Sequence, residues 1–162
     1  MANQNNNNYL SPHIEVAEDK QLSPWLRNFI NIYQQLNTEN IELLEQVYAE
    51  NIQFIDPIHE VNGFQNLSDY FESLYTNLVS CQFAITEVIE GDNCAAIYWT
   101  MEFCHPKLNS GNAVSLVGSS QLKAVAGKVF YHRDFVDLGA MLYEHIPVVG
   151  RIIKAVKKRA SK

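Results

Sequence analysis

Residues 47–75, VYAENIQFIDPIHEVNGFQNLSDYFESLY, decide the fold. Within them, residues 51–56 (NIQFID) are typical of a short strand, and Pro57 ends it because proline cannot donate to a β-ladder. Gly63 marks a turn. The helix predicted next, over residues 66–79, has one apolar face formed by Leu67, Tyr70, Phe71, Leu74 and Leu78. The stretch therefore predicts a strand, a turn and a helix in succession.

On either side of this stretch, the pattern extends to three helices followed by four strands. Ser23 and Pro24 are typical of a helix start, and the apolar spacing after them predicts helices over 24–36 and 40–49. The strands predicted downstream are 81–90, 93–105, 112–125 and 128–137, joined by short connections that contain glycine or proline. Helices followed by a meander indicate an α+β domain, predicted over residues 22–146, with helices packed on one face of an antiparallel sheet.

The two ends of the chain differ from this domain. Residues 1–21 are polar and rich in asparagine, and we expect them to be disordered. Residues 147–162 predict a basic amphipathic helix, with Val148, Val149, Ile152, Ile153 and Val156 at helical spacing. Residues 151–162 carry six basic side chains and no acidic one, whereas the whole chain has a net charge of −6, so the rest carries −12. An acidic body excludes nucleic acid as an expected partner.

Composition and motifs narrow the class of protein further. The N-terminus lacks a secretory signal, no apolar run is long enough to span a membrane, and three scattered cysteines favour a reducing compartment, so we expect a cytoplasmic protein. Nucleotide-binding loops and the serine-hydrolase elbow are absent from the sequence. His59 and His105 do not form a metal-ligand spacing. We therefore expect neither a cofactor nor a metal.

The order of elements, together with two sequence segments, resembles ketosteroid isomerase and the SnoaL-like proteins of the nuclear-transport-factor-two-like superfamily. The segments are residues 47–75, with the Asp-Pro that ends the strand, and residues 127–137, GKVFYHRDFVD. The resemblance covers about residues 23–145. It implies a cone-shaped fold, in which a strongly curved antiparallel sheet wraps around three N-terminal helices, and a homodimer formed through the outer sheet face, where Tyr98, Thr100, Arg133 and Phe135 are expected.

The same resemblance implies a role for Asp56 as the general base that moves a proton next to a carbonyl group. In ketosteroid isomerase a tyrosine and a protonated aspartate form the oxyanion hole. Their positions here fall on Ile32, beside Tyr33, and near Ser119, in a run without a carboxylate. The chain thus resembles the family at the base and departs from it at the oxyanion hole.

The residues themselves support an acid–base site while leaving plainer alternatives open. Asp56 ends an apolar strand, where partial desolvation suits a carboxylate to proton transfer, but Asp before Pro also simply turns a chain. His132 and Asp134 share one face of the last strand and form either a catalytic pair or an ion-pair ladder with Arg133. The residues predicted to line the ligand pocket are Phe54, Tyr33, Phe71, Trp99, Met101 and Phe103.

Two functions follow. The first is a cofactor-independent enzyme of the isomerase or cyclase type, which binds a small apolar molecule with a carbonyl group and uses Asp56, His132 and Asp134 for proton transfer. The second is a non-catalytic ligand-binding or interaction module on the same fold. For the basic tail we expect either weak contact with an anionic membrane surface or a fold-back that caps the mouth of the cone.

Overall fold

A computed structural model describes residues 22–37, 39–146 and 148–160. The expected disorder of residues 1–21 lies outside this range. The α-helices are α1 (Pro24–Gln35), α2 (Phe64–Thr76), α3 (Leu138–Met141) and α4 (Val149–Ala160), and short 3₁₀ helices span Ile41–Gln46, Asn109–Gly111 and Tyr143–His145. Within these residues, no helix is long and apolar enough to cross a membrane.

Six strands form one curved sheet in the order β2-β1-β6-β5-β4-β3. They are β1 (Tyr48–Ile55), β2 (Glu60–Asn62), β3 (Ser80–Gly91), β4 (Cys94–Cys104), β5 (Val114–Val125) and β6 (Lys128–Val136). Neighbours in the β3–β6 meander are antiparallel, which confirms the prediction for residues 81–137. Strands β1 and β6, however, pair in parallel, so the complete sheet is mixed.

The prediction of a second helix over residues 40–49 is wrong at its C-terminal end. The 3₁₀ helix stops at Gln46, and Tyr48 already belongs to β1, where it pairs with Val129 of β6. Val47 and Tyr48 favour strands, and both are buried, so packing against β6 outweighs the helical spacing. Strand β2 was not predicted because three residues are too few to show a period; it pairs with β1 on the far side of the Asp56–Pro57 turn.

The inner face of the sheet carries the core. Along β5 the even-numbered side chains from Val114 to Ala124 are buried or facing inward, and the odd-numbered ones face outward. Helices α1 and α2 cover this inner face with Leu26, Phe29, Leu67 and Phe71. Helices therefore pack on one face of the sheet, as predicted, and the space between the two layers contains the candidate site.

A bulge in β6 determines which of its side chains point inward. Ala124 pairs with Val129 and Lys123 with Tyr131, so Phe130 is the extra residue. After the bulge, His132 and Asp134 face the core while Arg133 and Phe135 are exposed on the outside. The shared face predicted for His132 and Asp134 is thus the inner one.

The helix predicted in the basic tail is α4, although Pro147 and the last two residues lie outside the described chain. Its apolar side chains Val149, Ile152 and Val156 are exposed, so they do not cap the mouth of the cone. The cavity is bordered instead by Met141 and Leu142, at the end of α3. Helix α3 itself was not predicted; Asp137 caps its N-terminus by accepting hydrogen bonds from the backbone of Gly139 and Ala140.

Candidate functional site

One apolar cavity of about 300 Å³ lies between the inner face of the sheet and α2. Its lining includes all six residues predicted from sequence to contact a ligand: Phe54, Tyr33, Phe71, Trp99, Met101 and Phe103. Asp56 and Asp134 also line it and are its only carboxylates among the described residues. His132 does not line the cavity; it lies behind Asp134 and is 1% exposed. The structure thus brings together the predicted residues, with His132 one layer deeper.

Asp134 is held by two hydrogen bonds to the same carboxylate oxygen. Oδ1 lies 2.8 Å from Nε2 of His132 and accepts a hydrogen bond of 2.5 Å from Oγ of Ser120. Ser120 is in turn positioned by the indole N–H of Trp99, which donates to its Oγ over 2.8 Å. No described residue donates to Oδ2 of Asp134, whose side chain is partly exposed to the cavity. One oxygen is therefore fixed while the other is available to a ligand.

Behind Asp134, two tyrosines continue this hydrogen-bonded chain into the core. The Tyr48 hydroxyl lies 2.5 Å from Nδ1 of His132 and 2.5 Å from the Tyr33 hydroxyl. Burial raises the pKa of both tyrosines well above the usual value, so both phenols keep their protons. When Tyr33 donates to Tyr48 and Tyr48 donates to Nδ1, His132 carries its proton on Nε2 and donates it to Asp134. We call Tyr33, Tyr48 and His132 the buried relay.

Asp56 is more fully occupied than Asp134. Its Oδ1 accepts backbone hydrogen bonds from Ile58 at 2.6 Å and His59 at 2.7 Å, which makes the tight turn between β1 and β2. Its Oδ2 accepts a hydrogen bond from the Tyr70 hydroxyl. Burial, and then the hydrogen bond to Asp56, raise the pKa of Tyr70, so this phenol remains a donor. The plainer alternative from the sequence, that Asp56 forms a turn, describes this geometry well.

A second polar feature of the cavity wall is Tyr75. Its hydroxyl is buried and has no hydrogen-bond partner among the described residues. The Cys81 thiol is close enough to influence the pKa of Tyr75, but it does not meet hydrogen-bond geometry. Burial raises the pKa of the Cys81 thiol to about 11, so it stays protonated at neutral pH. Tyr75 thus lines the cavity while its hydroxyl stays buried and unpaired, which is unfavourable for stability.

Sequence reasoning missed four polar residues of the site: Tyr48, Tyr70, Tyr75 and Ser120. Tyr48 and Tyr70 were counted only as apolar positions on helices, although a buried tyrosine hydroxyl needs a partner, and this was the available signal. Ser120 is adjacent to Ser119, the position that the resemblance matched to an acid, and it faces inward where Ser119 does not. The described residues contain no group of three potential metal ligands.

A mixed α+β cone, with a curved sheet, helices on its inner face and an apolar cavity between them, is the architecture of the described residues. The sequence family described as SnoaL-like domain matches residues 29–132, and the chain belongs to that family. No curated protein matches the chain at a significant level.

Several solved structures share this fold and are distant from this chain in sequence. TerC, co-crystallised with polyporic acid, is 17% identical with a TM-score of 0.65, over 74% of this chain and 95% of its own. A protein with a ketosteroid isomerase-like fold from Catenulispora acidiphila, in complex with trimethylamine, is 11% identical with a TM-score of 0.65, over 75% and 92%. An LEH-like epoxide hydrolase from M. tuberculosis is 12% identical with a TM-score of 0.59, over 72% and 83%. At these identities the likeness concerns the fold alone.

Proposed function

We propose that the protein binds a small, largely apolar molecule in the cavity and that Asp134 exchanges a proton with it. The observation that supports this most directly is the unequal environment of the two Asp134 oxygens: Oδ1 is held by His132 and Ser120, and Oδ2 has no described donor. A carboxylate oxygen in an apolar cavity with no donor of its own is a competent proton acceptor. The proposed reaction is a proton transfer of the isomerase or cyclase type, on a substrate that carries a carbonyl group.

Asp134 is a better candidate for the base than Asp56 because only one of its two carboxylate oxygens accepts described hydrogen bonds. Three donors, from Ile58, His59 and Tyr70, engage both oxygens of Asp56. A proton arriving at either oxygen of Asp56 would displace one of these hydrogen bonds, whereas Oδ2 of Asp134 has no described donor to displace. In this proposal Asp56 positions the Tyr70 phenol at the cavity wall, and Asp134 takes the proton.

The chemistry balances within the protein and substrate. Oδ2 of Asp134 accepts a proton from the carbon next to the carbonyl group, the electrons of that C–H bond form an enolate, and the same oxygen returns the proton at a second carbon. This exchange needs no oxidant or reductant. The buried relay keeps the Nε2–H of His132 on Oδ1, so Asp134 stays oriented through both transfers.

A generic carbon acid tests the base without knowledge of the natural substrate. The probe is 5-nitrobenzisoxazole: removal of its ring C–H proton breaks the N–O bond and releases a coloured cyanonitrophenolate. We expect the wild-type protein to exceed an equal concentration of acetate by about a hundredfold or more. Asp134→Asn should lose this activity, and Asp56→Asn, the matched carboxylate change in the same cavity, should keep most of it.

Other outcomes assign the site differently. Loss of activity in Asp56→Asn but not in Asp134→Asn would move the base to Asp56. Turnover no faster than acetate, together with an apolar molecule recovered by solvent extraction of the purified protein, would support the second function, non-catalytic ligand binding. The wall of the cavity is almost wholly apolar, and such a wall suits retention of a ligand as well as reaction, so it supports that alternative too.

A further inference from the structure

Helix α4 is attached to the domain through one row of residues. Gly150, Ile153 and Lys157 follow one another at helical spacing and form that row. Gly150 is buried so closely against the 143–145 turn that a Cβ atom there would lie 2.3 Å from the carbonyl oxygen of Glu144. Ile153 is half-buried. These contacts determine which side of α4 faces the domain.

Lys157, at the other end of the same row, holds α4 to the domain through two ion pairs. Its Nζ lies 2.6 Å from Oε1 of Glu144 and 3.1 Å from Oδ2 of Asp137. The hydrogen bond to Glu144 and then that to Asp137 raise the pKa of Lys157, so the ammonium is charged at neutral pH. Because α4 is held at Gly150 and at Lys157, its orientation on the domain is defined.

A second row, next to the attached one, is apolar and exposed. Val149, Ile152 and Val156 repeat the same spacing about 100° around the helix. Ile152 is 58% exposed and Val156 59%, and both face away from the core. Three aliphatic side chains in line on an amphipathic helix are unfavourable in water unless another surface covers them.

The remaining surface of α4 is basic. The helix carries five basic side chains and no acidic one. Arg151, Lys154 and Arg159 have no acidic partner within the described residues, in contrast to Lys157. The residues outside 151–162 carry −12, so positive charge is concentrated at this one end of the molecule.

We propose that α4 is a docking helix for an anionic lipid bilayer. The row of Val149, Ile152 and Val156 enters the headgroup–acyl boundary, Arg159 flanks this row and contacts the negative headgroups, and Arg151 and Lys154 attract the bilayer from farther around the helix. An anionic bilayer repels the acidic body of the protein and attracts only α4, so it also orients the molecule. Helix α4 packs against Glu144, which lies two residues after Leu142 of the cavity wall, so the docking helix lies near the cavity. The proposal does not depend on the chemistry inside the cavity.

The full-length protein is tested by co-sedimentation with two kinds of vesicle, pure phosphatidylcholine and phosphatidylcholine containing a quarter phosphatidylglycerol. We expect binding only to the second kind, weakened by high salt. Arg159→Glu and Val156→Asp should each weaken it about tenfold or more. The matched controls are Lys123→Glu, an exposed basic residue on the sheet, and Val125→Asp, a valine that is 58% exposed on the sheet. Both controls should bind like the wild type.

Because all four positions are exposed, we expect each variant to fold, and circular dichroism checks this. Equal binding to both kinds of vesicle, or none, would overturn the proposal and leave a protein partner as the occupant of the exposed row. Loss of binding in Lys123→Glu as large as that in Arg159→Glu would also overturn it, because the effect would then reflect net charge alone.

Discussion

Replacement of Tyr48 by Phe tests the buried relay, because it removes one oxygen atom that serves two hydrogen bonds. The Tyr48 hydroxyl pairs with the Tyr33 hydroxyl and with Nδ1 of His132, each at 2.5 Å. All three side chains are at least nine-tenths buried, and no described residue offers either partner a replacement. Tyr48→Phe should therefore leave two polar groups unpaired without changing the packing of the ring.

The expected loss of stability follows from those two groups. An unpaired buried donor or acceptor costs about 1–3 kcal/mol. Nδ1 of His132 is fully enclosed, whereas the Tyr33 side chain also lines the cavity. We therefore expect a decrease of about 2–3 kcal/mol in the free energy of unfolding. With a urea m-value of about 2 kcal/mol/M, the unfolding midpoint should fall by about 1–1.5 M.

Tyr75→Phe is the matched control. Tyr75 is also buried and aromatic, but its hydroxyl has no hydrogen-bond partner in the described part of the chain. Its removal should leave the urea midpoint unchanged or raise it, because an unsatisfied buried hydroxyl disappears. Equal midpoints for the two variants would refute the relay, and so would a Tyr48→Phe protein as stable as the wild type.

Three further predictions concern other parts of the fold. Gly118→Ala should lower the free energy of unfolding by about 1–3 kcal/mol in a urea titration, because a Cβ there would lie 2.2 Å from the Trp99 ring. In Gly111→Ala the new Cβ meets no neighbour, so any loss of stability there comes from the positive φ of the backbone alone. Mass spectrometry after iodoacetamide treatment at pH 8 should show modification at the exposed Cys94 and not at Cys81, whose thiol pKa is raised to about 11 by burial. The folded-state pKa of the Cys81 thiol lies above the unfolded value of about 8.5, so the thiol's contribution to stability is fully present below pH about 8.5 and should disappear as the pH rises towards 11. A urea midpoint that stays constant over that pH range would contradict this prediction. Light scattering should detect a homodimer formed through the outer sheet face, and Phe135→Asp should give a monomer while Val156→Asp, on α4, stays dimeric; a monomeric wild-type protein would exclude the dimer.

The periodic elements could be predicted from the sequence, and the short or locally irregular ones could not. The meander strands are nine to twelve residues long, so their alternation was visible above the noise of individual residues. Val47 and Tyr48 continue the apolar spacing of the 41–46 helix but also suit the start of a strand, and only the parallel pairing of β1 with β6 decides between the two structures. Long-range pairing of this kind leaves no local signal at Val47 or Tyr48.

The site was predictable as a set of residues but not as a set of roles. The six apolar wall residues followed from aromatic positions on elements that face the core, and the structure places all six around the cavity. The hydrogen-bond partners of Asp56 and Asp134 come instead from positions remote in sequence, such as Ser120 and Tyr70, and from a backbone turn. Periodicity locates a face of a strand, but it does not show how many donors a carboxylate on that face receives.

The number of hydrogen-bond donors distinguishes the two carboxylates, Asp56 and Asp134, that the sequence placed in the site. Asp56 was favoured because Asp-Pro stands where the family has its base, but three donors and a turn explain its presence without any chemistry. Asp134 receives donors at Oδ1 alone, and they come from a chain of buried groups, Trp99 through Ser120 on one side and the relay through His132 on the other. A carboxylate needed only for stability would gain from a donor at each oxygen, since a buried acceptor without one is destabilising. The unpaired Oδ2 beside an apolar cavity therefore favours Asp134, rather than Asp56, as the residue that meets the ligand.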